Sequence, residues 1–294
     1  MPESKQRTYP AFPPPTEPTS PTCVVKRLYL CRHGQTEANS SGILQGSGIN
    51  QPLNDEGERQ AERLRERLAP VKCDLVVSSK LKRAQQTAEA VLKEHKNVPF
   101  EEVEELAEIS WGDWEGVVNP GITQILKDWE QGDFTAKVPN GESPLEVEER
   151  AVPAIYKLVD RPEKDIIVVI HGRLLRIIMS SIFYQSLAHM STFVHHNTCI
   201  NIVDVLIETD PSKCPDISAS DQRRASLARL SSRSFSENKV LDDNVTITEE
   251  ETKNVCTPNG NIDHSGGLAL HTGIAHPKNI TFIPVLLDSI DHLA

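Results

Sequence analysis

Ile166 to Ile170 is an unbroken run of β-branched residues, closed by His171-Gly172 and followed at once by a second apolar stretch from Leu174 to Phe183. A strand that is apolar at every position has no solvent face, so it belongs inside a parallel sheet covered by helices on both sides. Two other segments share the design. Lys26-Arg27-Leu28-Tyr29-Leu30-Cys31 ends in Arg32-His33-Gly34, and Leu75-Val76-Val77 ends in Ser78-Ser79. Strand, polar turn and helix recur in order, which predicts an α/β chain of three layers, α/β/α, around a mostly parallel central sheet. The polar turns then share the carboxyl edge of that sheet, where open α/β folds place their ligands.

The helices can be placed from their caps and spacing. Asn54 can cap a helix that carries Asp55 and Glu56 in its first turn and Ala61, Leu64 and Leu68 on one face. Ala84, Thr87, Ala88, Val91 and Leu92 predict an amphipathic helix over about 81–95. Ser143-Pro144-Leu145-Glu146 reads as a capping box with proline at the first helical position. Its helix should run to about Val159, with a kink or an early break at Pro153. Cys199 to Ile207 and Ile280 to Leu287 read as two edge strands, and Pro284 suits an edge.

The remaining segments carry no core. Residues 1–23, with Pro10, Pro13, Pro14, Pro15, Pro18 and Pro21, read as a disordered tail. Residues 209–277 lack sustained periodicity and read as a disordered insertion. The catalytic domain is then 24–294 with this interruption. Hydrophobic residues at 38% and aromatics at 5% of 294 residues agree with a partly unstructured chain. A net charge of −11 argues against nucleic acid as a partner. The six cysteines form no Cys-x-x-Cys pair and read as free thiols. No apolar run is long enough for a signal peptide or a membrane span, so a soluble cytoplasmic protein without membrane contact is expected.

If the strand ends line up, Arg32, His33, Arg83, Glu108 and His171 converge. Arginines are fixed, forked cations and a neutral imidazole is a nucleophile, a pairing suited to an anionic electrophile. His195-His196 is a weaker candidate as a metal pair, because adjacent side chains on an extended segment point apart.

At these positions the chain closely resembles the histidine phosphatase (phosphoglycerate mutase-like) superfamily over residues 26–208 and again from about 279. The likeness rests on separated segments in order: Arg32-His33-Gly34-Gln35-Thr36-Glu37-Ala38-Asn39; Gln45-Gly46 with Pro52-Leu53-Asn54 and Gly57; Ser78 to Ala88; Leu106 to Gly116; Asn140-Gly141-Glu142-Ser143; and Val168 to Gly172. The ending Leu287 to Leu293 also looks like the family's last segment. The resemblance implies that Arg32, Arg83 and a protonated His171 hold a phosphoryl group while His33 attacks it and becomes a phosphohistidine. Glu108, selected by its register against Trp111-Gly112, should protonate the leaving alkoxide and later activate water. Asn39, Gln45 and Gly46 would help bind the substrate, and no metal or cofactor is required.

Two departures stand out. Asn50 and Gln51 replace an acidic residue that many relatives have before Pro-Leu, and the 209–277 insertion is atypical. The reaction implied is hydrolysis of a small phosphorylated metabolite of the sugar phosphate or bisphosphate class. The short loop after Trp111-Gly112-Asp113-Trp114-Glu115-Gly116 is similar to the phosphatases, and the Tyr-Gly-Gly-Leu-Gln-Gly sequence of the mutases is absent. A phosphoglycerate mutase, a protein phosphatase and a phospho-binding signalling module are the alternatives. Fructose-2,6-bisphosphatase is one specific possibility, without a fused kinase since no P-loop is present. Within the insertion, Arg223-Arg224-Ala225-Ser226-Leu227 resembles the substrate consensus of basophilic kinases, with Ser226 as the acceptor.

Overall fold

A computed structural model of the chain describes residues 8–118, 120–213 and 274–294. Six strands form one sheet: β1 (Cys23–Arg32), β2 (Leu75–Ser78), β3 (Phe100–Glu102), β4 (Asp165–Ile170), β5 (Ile200–Glu208) and β6 (Ile280–Ser289). Their order is β3-β2-β4-β1-β5-β6. β4 pairs in parallel with β1 and β2, and β3 in parallel with β2, whereas β5 runs antiparallel to both β1 and β6. The β-branched run is the middle of the sheet. Ile166 to Ile170 are fully buried, as a strand with no polar side must be.

Period-two alternation sorts the side chains into two cores. Leu28, Leu30, Val77, Ile166, Val168 and Ile170 face one side. That side is filled by α5 (Pro144–Val159) and α6 (Gly172–Tyr184), through residues such as Val147, Ile155, Ile177 and Ile178. Tyr29, Cys31, Val76, Ile167 and Val169 face the other side and meet α2 (Asp55–Leu68) and α3 (Lys82–Leu92) through Leu64, Leu68, Ala84, Ala88 and Val91. The result is the three-layer arrangement expected. The short helices α1 (Glu37–Ser40) and α4 (Thr123–Glu130), and strand β3, gave no distinct periodicity in the sequence because each is too short to show one.

Three expectations need correction. α5 passes through Pro153 without breaking. Proline removes one backbone donor, but Ala151, Val152, Ala154 and Ile155 are all buried around it, and that packing outweighs one lost bond. β5 is not an edge, because β6 covers its free side and leaves Pro284 on the terminal strand.

Residues 9–22 form no regular structure but are anchored, so the tail is not free over this length. The Arg27 guanidinium donates to the carbonyls of Pro13 (2.7 Å) and Pro14 (3.0 Å) while pairing with buried Asp204 (2.6 Å). Thr16 donates through its N–H (2.6 Å) and hydroxyl (2.7 Å) to the same carboxylate. Phe12 lies edge-on to Tyr29 at 6.1 Å and 3.4 Å from the Arg67 guanidinium. A proline-rich strand needs no core of its own when its carbonyls find a buried cation. The expected insertion lies outside the described residues from 214 to 273.

Candidate active site

Sheet register brings the chemistry together. Arg32 stands opposite Ile170, and Ser78 opposite Val169, so His33 and His171 leave neighbouring strands at one level and Ser79 leaves the third one residue earlier. The His33 backbone is tied down at both ends: its N–H donates to Ile170 O (3.0 Å), and its carbonyl accepts from Thr198 N (3.2 Å) and Asn197 Nδ2 (3.1 Å). Gly34 follows because nothing larger fits. A Cβ there would lie 2.6 Å from the Gly57 carbonyl oxygen, well inside contact distance.

The His33 ring is fully oriented. Nδ1 sits 2.7 Å from Gly34 O, a carbonyl that can only accept, so Nδ1 carries the proton and Nε2 keeps its lone pair. Arg83 Nε donates to that Nε2 at 3.2 Å. The Arg83 guanidinium also donates to Ile49 O (3.0 Å) and Gly46 O (2.8 Å). Gly46 adopts φ +56°, and a side chain there would collide with the Glu115 carboxylate. Burial pulls Arg83 down to about 10, still a cation at neutral pH. Arg32 donates to His195 O at 2.7 Å.

His171 is completely buried, its ring 5.1 Å from that of His33. Ser79 Oγ approaches its Nε2 at 2.6 Å while accepting from Leu81 N. No other acceptor for the Ser79 hydroxyl proton stands among the described residues, so we assign that proton to Nε2 and the ring's own proton to Nδ1. That atom has no protein partner. Burial first, and then Arg83 and Arg32, hold both imidazoles well below the ordinary histidine value. Both rings are thus neutral in the free protein. The protonated His171 expected with a phosphoryl group in place would need that group's negative charge beside it.

Glu108 is buried, and its carboxylate crowns the start of α6. Oε1 accepts from Leu174 N (2.9 Å) and Ile109 N (3.0 Å), and Oε2 from Arg173 N (3.2 Å). Gln45 Oε1 takes the Thr36 hydroxyl, which leaves its buried Nε2 without a partner. Asn39 Oδ1 accepts from Thr36 N in a capping box and from Asn197 Nδ2, which orients its amide. The departures at 50 and 51 are also accounted for. Asn50 Oδ1 accepts from Lys82 N at the start of α3, and Gln51 Oε1 from Ala38 N.

His196 pairs with Asp288 at 2.7 Å, and His195 is buried beside Cys199 and Asn201. His195, Cys199 and Asp288 bring one donor atom each within 4.8 Å of one another. The set is unfavourable for a cation, because Asp288 is already engaged and the Arg176 and Arg32 charges press on His195.

Sequence reasoning overlooked the supporting residues Ser79, Thr87, Asn197, Glu142 and Arg150. Thr87 Oγ1 accepts from Gly34 N at 3.0 Å and donates to Arg83 O at 2.7 Å, tying the His33-Gly34 turn to the start of α3. Ser79, Thr87 and Glu142 lie within the segments singled out in the sequence, but without a role of their own, and Arg150 and Asn197 carried no signal.

Comparison with known proteins agrees with this geometry. Residues 28–209 match the family described as the histidine phosphatase superfamily (branch 1). The chain is 32% identical over 188 residues to an adenosylcobalamin/alpha-ribazole phosphatase of Escherichia coli, an overlap of 61% of this chain and 90% of that protein. It is 34% identical over 193 residues to a broad-specificity phosphatase of Saccharomyces cerevisiae, covering 60% and 79% respectively. Among solved structures, a mycobacterial glucosyl-3-phosphoglycerate phosphatase superposes with a TM-score of 0.54 at 26% identity, over 62% of this chain and 91% of that one. With its buried histidine pair, its arginines at one sheet edge and a family match across most of the sheet, the chain belongs to the histidine phosphatase superfamily, branch 1.

Proposed function

We propose that the protein hydrolyses phosphate monoesters of small metabolites through a phosphohistidine at His33. The orientation of the His33 ring carries the reading: its Nδ1 is held by Gly34 O and its Nε2 is free of any proton. Nε2 attacks phosphorus as the ester P–O bond breaks, and Glu108, which enters the step protonated beside the negative phosphoryl group, gives that proton to the departing alkoxide. Water then attacks the phosphohistidine, Glu108 takes a proton from it, and the P–N bond breaks to return neutral His33 and release phosphate. Arg83 must swing its Nε from His33 to a phosphoryl oxygen for the first step, which couples substrate binding to release of the nucleophile.

Arg32 and Arg83 supply fixed positive charge to the equatorial oxygens, and His171 Nδ1–H and the Gln45 amide supply further donors. Two of the buried atoms that lack a partner among the described residues, His171 Nδ1 and Gln45 Nε2, are what a phosphoryl oxygen would satisfy. We infer that these donors do the electrostatic work without a metal ion. Relatives named for alpha-ribazole and glucosyl-3-phosphoglycerate support a phosphorylated metabolite as substrate.

Among the described residues no helix is long and apolar enough to cross a membrane. A cytoplasmic setting is inferred from the free thiols of Cys23, Cys31, Cys73 and Cys199. Residues 24–294 are inferred to form one catalytic domain, and phosphorylation at Ser226, outside the described residues, is a sequence inference.

Incubation with p-nitrophenyl phosphate and quenching in base should trap an acid-labile phosphoenzyme that is absent from His33→Ala. Turnover without such an intermediate, or an intermediate that persists in His33→Ala, overturns the mechanism. Loss of turnover in folded wild-type protein overturns the activity.

A further inference from the structure

The guanidinium of Arg150, on the second turn of α5, is aimed at the main chain that carries Glu108. It donates to Glu105 O (2.7 Å), Ala107 O (2.9 Å) and Glu108 O (3.1 Å), and its other edge forks onto Glu142 (2.7 and 2.9 Å). Glu142 continues the connection. Its Oε2 accepts from Ser110 N at 2.9 Å, and its backbone N–H donates to Ser110 O at 2.9 Å. Gly141 lets the two segments touch, since a Cβ there would lie 2.8 Å from Ser110 O.

Three carbonyls that converge on one point cannot satisfy one another, because each is only an acceptor. They need a multi-pronged donor, and a planar guanidinium with five N–H groups is the side chain that supplies one. Glu108 is therefore held at both ends, its carboxylate by the start of α6 and its backbone by Arg150. We propose that Arg150, braced by Glu142, is a positioning residue for proton transfer: it sets the segment Glu105–Ser110 so that the Glu108 carboxyl meets the leaving oxygen. The proposal rests on the reading of Glu108 as the leaving-group acid. Proton transfer requires hydrogen-bond contact, so a displaced backbone is felt in the protonation step before it is felt in phosphoryl binding.

Leaving-group dependence separates positioning of the acid from general support of the fold. The constant kcat/KM senses only steps up to departure of the alcohol. An alkoxide such as that of glycerol phosphate needs the proton, whereas p-nitrophenolate leaves without one. In Arg150→Met, kcat/KM for glycerol phosphate should fall by about 10- to 100-fold, part of the range for a general acid, while that for p-nitrophenyl phosphate falls by less than about 3-fold. Glu108→Gln should show the same separation, but larger. If Arg150→Met lowers both substrates equally, or neither, while Glu108→Gln separates them, the positioning role is wrong and the acid assignment stands. If Glu108→Gln itself treats the substrates alike, the acid assignment fails and this inference with it. Should Arg150→Met not fold, Glu142→Gln decides. It removes the brace and leaves the carbonyl contacts, and it should give a smaller separation in the same sense; none would overturn the proposal.

Discussion

Ser79 shows how much of this site is set by one hydroxyl. It receives Leu81 N and gives its proton to His171 Nε2, and so selects which His171 nitrogen can donate to substrate. In Ser79→Ala the ring is free to take the other tautomer or turn. We expect kcat/KM for p-nitrophenyl phosphate to fall about 10-fold or more, the scale of one misdirected hydrogen bond to a charged group, with little change in melting temperature. An unchanged kcat/KM would show that the tautomer does not matter. The fate of the candidates follows from the same chemistry. Arg32, His33, Arg83, Glu108 and His171 were legible because their types are unusual at strand ends and helix starts, and because separated motifs agreed with them. Asn39 was read as a phosphoryl ligand; its oxygen is used by Thr36 and Asn197, which orients the amide and leaves its N–H donors for that role. Arg150 gave no signal, since a mid-helix arginine four residues from Glu146 looks like any solvated charge.

At the scale of elements, α5 carries Arg150 and begins two residues after Glu142, so its first turn has to be well defined. Its capping box is complete: Ser143 Oγ accepts from Glu146 N (3.3 Å), and Glu146 Oε2 accepts from Ser143 N (2.8 Å). Ser143→Ala should cost about 1 kcal/mol in a urea titration, and no loss would mean that Pro144 alone holds the start. Elements with long periodic faces, α2, α3, α5 and α6, were visible in the chain because burial of one face imposes its spacing. The continuity of α5 through Pro153 was not, because it is decided by the neighbours that bury Val152 and Ile155. The interior place of β5 was hidden for a related reason: its partner β6 lies across more than 70 intervening residues.

For the molecule as a whole, buried histidines make the fold sensitive to acid. His33, His171 and His195 are held well below their ordinary value of 6.5 by burial, and His292 is lowered to about 4. Above pH 6.5 these imidazoles are neutral in both folded and unfolded chains and contribute no pH dependence. Below it the unfolded chain binds protons that the buried rings refuse. Stability is then lost as pH falls, by about 1.4 kcal/mol per pH unit for each histidine, down to its folded value. Urea midpoints should therefore drop between pH 7.5 and pH 5, before most carboxylates titrate; an equal or higher midpoint at pH 5 would contradict the neutral assignment. The anchored segment 9–22 belongs to this scale as well, since it ties Arg27 and Asp204, a buried pair across β1 and β5, to the rest of the molecule.

The sequence by itself determined the class of fold and the kind of reaction. Unbroken apolar strands can exist only inside a covered parallel sheet, and arginines and histidines at the strand ends can serve only an anionic substrate there. Tertiary structure alone decided how the candidate residues meet across the chain: Arg83 donates to His33 Nε2 and Arg150 to the Glu108 carbonyl, contacts between segments 40 or more residues apart that no local pattern encodes.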